Sequence, residues 1–327
     1  MNIRSRSAIH EEARQALDRA PYTGRIILIY TAACCGLSIL ATLLSLFFSD
    51  RIAGTGGLSN IGLRSVLSTG QSVLELAQVI VSACLGLGYH IIMLTITRRY
   101  EAAPRTLLQG FRHFGPLFRA ILLQSFIYLG LIFGATYLSS FLFLMTPGAE
   151  AFMEVMAPVM SSMTVMDSAI ILDEATLMAA TETMLPMFWI MLVVLPLVLV
   201  PTWYKFRMVN FCLAENPRQG ALAAILKSRL LMRRNRIALF RLDLTLWWFH
   251  LGSLLVFLLC YGDVLLALMG VTFPWSATVT SFVFYFLSLG LQVAVNYFAM
   301  NRAYAVYAVA YDVLQDDLPK ITLPVQQ

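Results

Sequence analysis

The sequence predicts an all-α, polytopic membrane protein: a bundle of six transmembrane helices joined by interfacial amphipathic helices, with both chain ends in the cytoplasm. Three observations lead there. First, the 327 residues are 59% hydrophobic and 13% charged, with a mean hydropathy of +0.76, whereas a soluble domain is about one quarter charged. Second, six stretches meet the requirement of a bilayer core of about 30 Å, which takes roughly 20 apolar residues at 1.5 Å rise with every backbone amide bonded inside the segment. Third, lysines and arginines collect in alternate loops, as they do when a cell retains them on its cytoplasmic side.

Taken in chain order, residues 1–25 read as a cytoplasmic segment. Ser7 can cap a short helix with Glu11 and Glu12 in its first turns, Ile9, Ala13, Ala16, Leu17 and Ala20 share one face, and Pro21 stops it. Such a helix is expected on the inner membrane surface. The membrane domain covers 26–314, with spans at Ile26–Phe48, Val73–Thr97, Leu117–Met145, Leu185–Trp203, Leu242–Gly262 and Ala277–Met300; 315–327 form a cytoplasmic tail. Ile26–Phe48 has full spanning length and no small-residue cleavage pattern after it, so it is expected as a retained helix.

Orientation follows from charge. Arg4, Arg6, Arg14, Arg19 and Arg25 precede the first span, Arg98, Arg99, Arg105, Arg112 and Arg119 fill the second loop, and a basic elbow occupies 205–241. The intervening loops are poor in basic residues. The outer loop at 146–184 is acidic and methionine-rich, with Glu150, Glu154, Asp167, Asp173, Glu174 and Glu182. Trp189 and Trp275 fall near the outer boundary and Trp203, Trp247 and Trp248 near the inner one, as an aromatic belt requires.

Polar side chains inside the spans are the first place to look for a site, because an unsatisfied polar group in hydrocarbon costs several kcal/mol. His90, Asp243, His250, Gln292 and Asn296 all fall on the inner half of the bilayer. They form either a cytoplasm-facing polar cavity or a set of interhelical hydrogen bonds, with Asp243 paired to Arg241. In the elbow, Lys227, Arg229, Arg233, Arg234 and Arg236 interleave with Leu222, Ile225, Leu226, Leu230, Leu231 and Met232, the pattern of a helix lying on anionic lipid. Ala103-Pro104-Arg105 and Asn216-Pro217-Arg218 open the two basic loops alike, so the loops read either as a true repeat or as chance similarity.

Other features carry less. Met153, Met156, Met160 and Met163 recur at helical spacing, which suits the apolar stripe of a surface helix better than copper(I). Gly130 and Gly134 form a GxxxG expected to pack within the chain. Pro186, Pro196 and Pro201 are expected to bend or unwind the fourth span. Gly54-Thr55-Gly56-Gly57 lacks the Gly-Lys-Ser/Thr of a phosphate loop, the five cysteines have no CxxC spacing, and His10, His90, His113 and His250 have no metalloprotease spacing. Neither an enzyme nor a cofactor is expected, and nucleic acid is not an expected partner because no aromatic platform accompanies the charge.

The run from Pro201 to Leu244 resembles the signature of a bacterial integral-membrane family of unknown function, domain-of-unknown-function family 975. The likeness rests on Pro201, Tyr204, Lys205, Phe206 and Met208, on Leu213-Ala214-Glu215-Asn216-Pro217, on Ala221, Ile225, Ser228, Arg229, Leu231 and Met232, and on Leu239, Phe240 and Leu242. Ser5–Ala20, Gly110-Phe111 with Phe114, and Ala303–Leu314 are also similar, whereas Trp247-Trp248-Phe249-His250 departs from the family's Gly-Trp. The resemblance implies a bacterial cytoplasmic membrane and the helical fold, with no activity attached. In physical terms Glu215, Asn216 and Pro217 are an elbow: Pro217 has no amide proton and turns Asn216 away from helix. The expected role is a non-enzymatic membrane-organising or accessory protein contacting the bilayer and its anionic lipids, with another membrane protein as a further partner; the alternative is a small-solute transporter or lipid-handling permease.

Overall fold

The computed structural model describes residues 6–54, 61–163, 174–263, 266 and 277–316. The expectations for Thr55–Gly57, Asp167, Asp173, Trp275 and the tail after Asp316 lie outside them, as do those for the side chains of Met156, Met160, Met163, Glu174 and Glu182. Among the described residues every regular element is helical. We number the α-helices α1 (Arg6–Arg19), α2 (Thr23–Gly54), α3 (Ile61–Thr97), α4 (Gln109–Arg112), α5 (Phe114–Leu144), α6 (Pro147–Met163), α7 (Glu174–Phe206), α8 (Val209–Glu215), α9 (Ala221–Met232), α10 (Arg236–Thr245), α11 (Trp247–Cys260), α12 (Ala277–Val295) and α13 (Asn301–Asp316). Five helical stretches are long and apolar enough to cross a membrane, or six if the bent pair α10–α11 counts as one span.

The chain divides into two compact units, Ile121–Arg207 and the remainder on either side of it. In the Ile121–Arg207 unit, α6 packs on α7. Its long helices show large apolar side chains outward: Phe126, Phe133 and Tyr137 on α5, and Val193 and Leu197 on α7, are each more than half exposed. A surface of that kind belongs in hydrocarbon. Three parts of the sequence reading fall in this unit. α7 runs through Pro186, Pro196 and Pro201 as one helix and is not unwound; a proline removes a single amide bond, and the Thr202 hydroxyl donates to the Val198 carbonyl in the same turn (3.3 Å). The loop at 146–184 begins as a helix, α6, as its methionine spacing suggests, with Gly148 against the ring of Pro186. Among the described residues nothing lies within 4 Å of a Cβ built on Gly130 or Gly134, so the GxxxG meets no close neighbour there.

The other unit is built around α13. This helix is rich in alanine, and Ala303, Ala305, Val306, Tyr307, Ala308, Val309, Ala310, Tyr311 and Leu314 are all buried, so neighbours close on it from several sides. One neighbour is α1, whose Ile9, Ala13 and Ala16 are also buried, as is Ala20 just after it. The apolar face of α1, expected on lipid, is therefore occupied by protein, and Ser7 lies inside the first turn instead of before it. His10 Nε2 lies 2.7 Å from the Thr245 hydroxyl, which itself donates to the Leu242 carbonyl (2.6 Å) and so is left to accept from the ring. Burial lowers the pKa of His10, which favours the neutral imidazole.

Two backbone devices set the approach of the second loop to α3. α3 ends in a Schellman turn: the amide of Tyr100 bonds the Thr95 carbonyl and that of Arg99 bonds the Ile96 carbonyl, with Arg99 at φ 68°. Pro104 then starts a 3-10 turn, Pro104–Leu108, that leads into α4 and returns across α3. The crossing is between glycines. A Cβ on Gly88 would overlap the Leu107 carbonyl, and one on Gly110 would overlap that of Cys84.

The expected fifth span, Leu242–Gly262, is broken. α10 and α11 meet at Leu246 with a bend of 75°. The Leu246 amide closes a tight turn on the Asp243 carbonyl (2.9 Å), and α11 restarts from the Leu246 carbonyl. After α12 the chain passes through a π-helical turn, Asn296–Met300, into α13.

Alanine at Gly88 or Gly110 should force the two backbones apart and destabilise the protein by at least about 2 kcal/mol, an overpacking cost beyond the usual helix gain of alanine over glycine. Gly86 and Gly115, where an added Cβ meets nothing within 4 Å, should accept alanine with no loss. Thermal unfolding of the detergent-purified variants separates the two pairs.

Candidate functional site

Glu215 closes α8, and its carboxylate accepts hydrogen bonds from four side chains. Oε1 takes the Nη2 of Arg98 at 2.8 Å. Oε2 takes Lys227 Nζ at 2.6 Å, the Tyr311 hydroxyl at 2.8 Å and Gln315 Nε2 at 3.2 Å. Arg98 then continues to Asp312, with Nη2 at 2.7 Å and Nε at 3.2 Å from Oδ1. The exit of α3, the end of α8, α9 and the last turns of α13 are thereby tied to one carboxylate. The pKa of Arg98 is raised, first by its hydrogen bond to Asp312, against the opposing effect of burial, and then by Glu215.

The elbow itself follows the sequence. Asn216 is extended at φ −139°, ψ 83°, and Pro217 opens the 3-10 turn Pro217–Gln219. Gln219 folds back to give its amide to the Cys212 carbonyl at 2.6 Å, satisfying an acceptor at the end of α8. Gly220, at φ 82° and ψ 166°, takes a conformation that only glycine adopts readily, and α9 begins at the next residue. The second loop has the same local plan, extended Ala103 before Pro104 and a 3-10 turn. It lacks a long helix after the turn.

The basic residues divide. Lys227 lies between α9 and α8 and gives its charge to Glu215. Arg229, Arg233 and Arg234 are exposed. Arg236 is half-buried, and its Nε has no hydrogen-bond partner among the described residues. On the side of α9 turned away from the protein, Leu222, Leu226 and Leu230 follow one another at four-residue spacing, each about half exposed or more, while Ala221, Ala224, Ile225, Ser228, Leu231 and Met232 are buried. Ile237 and Phe240 continue the exposed apolar surface on α10.

The polar residues within the spans separate into three groups. His90 is buried; its Nδ1 meets the Gly86 carbonyl one turn back (2.6 Å), and its ring packs edge-on against Phe211 and Tyr304. Asp243 and His250 share Tyr307, whose hydroxyl donates to Asp243 Oδ1 at 2.7 Å and lies 3.4 Å from His250 Nε2. Gln292 donates to Asn296 Oδ1 at 2.7 Å.

This last pair lines a cavity. The space, about 580 Å³ and open on one side, is lined by α2, α3, α11, α12, the π-helical turn and the start of α13. Besides Gln292 and Asn296 its polar lining includes Ser38, Thr42, Gln78, Ser82, Ser253, Tyr285 and Ser288. Two of the contacts between them cross from helix to helix: Gln78 donates to Ser38 (3.0 Å) and Thr42 to Tyr285 (3.0 Å). Sequence reading missed these residues because single serines and threonines are common in apolar helices and give no spacing signal. It also missed Tyr307 and Tyr311, whose one-turn spacing with Tyr304 was the available clue.

Replacing Glu215 by Gln should leave Lys227 facing an amide, with Arg98 still paired to Asp312, and cost about 1–3 kcal/mol. Asp312→Asn should cost less, because both Arg98 and Lys227 keep their bonds to Glu215. Denaturant or thermal unfolding of the two variants checks the order; equal losses would remove Glu215 from the centre of the network.

No family model matches this chain, and neither does any curated protein or solved structure, so the reading of its site rests on its own geometry.

Proposed function

We propose that this is a non-enzymatic, membrane-organising protein of the bacterial cytoplasmic membrane, with six spans, both ends in the cytoplasm, and the elbow helix α9 seated on the anionic lipid of the inner leaflet. One observation carries the reading: α9 turns its small and branched residues to the protein and leaves Leu222, Leu226 and Leu230 exposed beside Arg229, Arg233 and Arg234. A water-soluble surface would place polar groups at those leucines. A helix docked by one face and lying in the lipid boundary needs apolar groups to enter the acyl region and arginines to meet phosphates above it. The Glu215 network supports the same reading, because it holds α9 to α3 and α13 through Lys227 and so fixes which side of α9 looks outward.

The arginines supply the charge preference. Each basic residue near an anionic surface contributes about 1 kcal/mol, so Arg229→Gln, Arg233→Gln and Arg234→Gln together should cut the enrichment of phosphatidylglycerol around the protein by at least tenfold. The measurement is the lipid composition retained when the full chain is extracted into polymer nanodiscs from membranes of mixed charge. Lys227→Gln should leave that composition unaltered while lowering stability. Unchanged phosphatidylglycerol in the triple variant would sink the lipid reading.

Topology is checked separately. With native cysteines replaced by serine, single cysteines at Arg234 and at Glu150 should react with a membrane-impermeant maleimide from opposite sides of the membrane, Glu150 in intact cells and Arg234 only after lysis. Labelling of both positions from one side would overturn the six-span arrangement.

A further inference from the structure

We infer that the cavity between α2, α3, α11 and α12 is a binding site for an uncharged, hydroxyl-rich group: a small polyol or sugar, free or carried as the head group of a neutral lipid. The inference is independent of the arginine surface on α9. The volume of about 580 Å³ falls within the roughly 300–1,000 Å³ of small-molecule sites. Its chemistry is selective. Among the described residues no Asp, Glu, Lys, Arg or His lines it, so an ion bound there would give up hydration with no counter-charge to replace it. Hydroxyls and carboxamides do line it, and each both donates and accepts. A ligand that offers O–H groups meets their remaining capacity; a bare acyl chain offers them nothing.

The polar groups are also held in place. Gln78 is oriented by Ser38 on the next helix, Thr42 by Tyr285, and Gln292 by Asn296. Each carboxamide spends part of its capacity on its neighbour and, by its inventory of two N–H donors and a carbonyl, has more to offer inward. All six sit on helices, which fixes their positions better than loops would. Asn296 is the first residue of the π-helical turn, and Met300, the last, lines the same space. Short π segments within α-helices occur mostly where a site must be shaped. Phe249, Val256 and Leu289 complete the wall with apolar surface for the carbon side of the ligand.

The cavity carries its own reporters, because Cys34 and Cys35 on its α2 wall and the exposed Cys260 on α11 line it, while Cys84 and Cys212 are buried elsewhere. In the full chain reconstituted in phosphatidylcholine nanodiscs, the rate at which N-ethylmaleimide modifies Cys34 and Cys35 is followed by peptide mass spectrometry. The probes are glucose, monoglucosyl diacylglycerol, and their charged counterparts gluconate and phosphatidylglycerol. At least one neutral probe should slow modification threefold or more, saturably, with neither charged probe doing so. Protection by glucose assigns a free solute; protection by the glycolipid alone assigns a head group. Asn296→Leu and Gln292→Leu should keep the unprotected rate and lose the protection. If either lowers the unfolding temperature, Gln78→Leu on the opposite wall takes its place. Protection by charged and neutral probes alike, protection by neither neutral probe, or thiols that do not react at all would each overturn the assignment.

Discussion

A carboxylate withdrawn from water must find its donors in the protein, and Glu215 finds them on three different helices. Arg98, Lys227, Tyr311 and Gln315 come from the exit of α3, from α9 and from α13, so that one side chain fixes the mutual placement of elements far apart in sequence. The arrangement is demanding. A partly buried charge pair adds little stability compared with a well-packed apolar alternative, yet loss of Glu215 would leave Lys227 without the carboxylate it pairs with. What such a network contributes is register: α9 can rotate about its axis only by breaking the Lys227 bond, and α13 can slide only by withdrawing Tyr311 and Gln315. The outward face of α9 and the position of the cavity wall at the start of α13 both follow from that restraint.

Glycine contacts provide the complementary, uncharged restraint. At the Gly88–Leu107 and Gly110–Cys84 crossings the second loop comes within backbone distance of α3, which needs residues without a Cβ on both segments. The loop therefore cannot swing away as a free surface helix. It holds the Arg98 end of α3 beneath it, where the Schellman turn at Arg99 delivers Arg98 toward Asp312 and Glu215. Shape sets the approach, and charge then sets the register.

The helical class and the five or six apolar stretches were legible in composition and run length, because hydrocarbon imposes both directly. So was the α1 face, since Ile9, Ala13, Ala16 and Ala20 follow helical spacing; what lay opposite that face was not, because lipid and an alanine-rich helix such as α13 place the same demand on an apolar stripe. Pro217 marked the elbow through its own covalent geometry. Lys227 was read with the other basic residues of α9 because sequence records charge and not partners, and its partner Glu215 lies on another helix. The break at Leu246 left no proline or glycine as a signal. It arises where Asp243 is bonded to Tyr307, a contact between residues 64 apart. The cavity was half legible: Gln292 and Asn296 stood out as amides in an apolar run, while the hydroxyls that complete it did not.

Charge and neutrality are kept in different parts of the Glu215-centred unit, and the separation has a physical cause. Arg98, Glu215, Lys227 and Asp312 each retain some exposure, with side chains between about a fifth and a third accessible, so water shares in stabilising them. The cavity is bounded by the apolar helices themselves, where an ionised side chain would need a full set of partners at every moment. Hydroxyls and amides are the strongest polar groups that such a place tolerates, since one or two hydrogen bonds satisfy them and each can exchange a neighbour for a ligand without creating a charge. A site built there can recognise only what is itself uncharged, whereas the arginine face of α9 can act only on anions. The two surfaces are thus complementary in the ligands they exclude, and the helices tied together at Glu215 hold both in place at once.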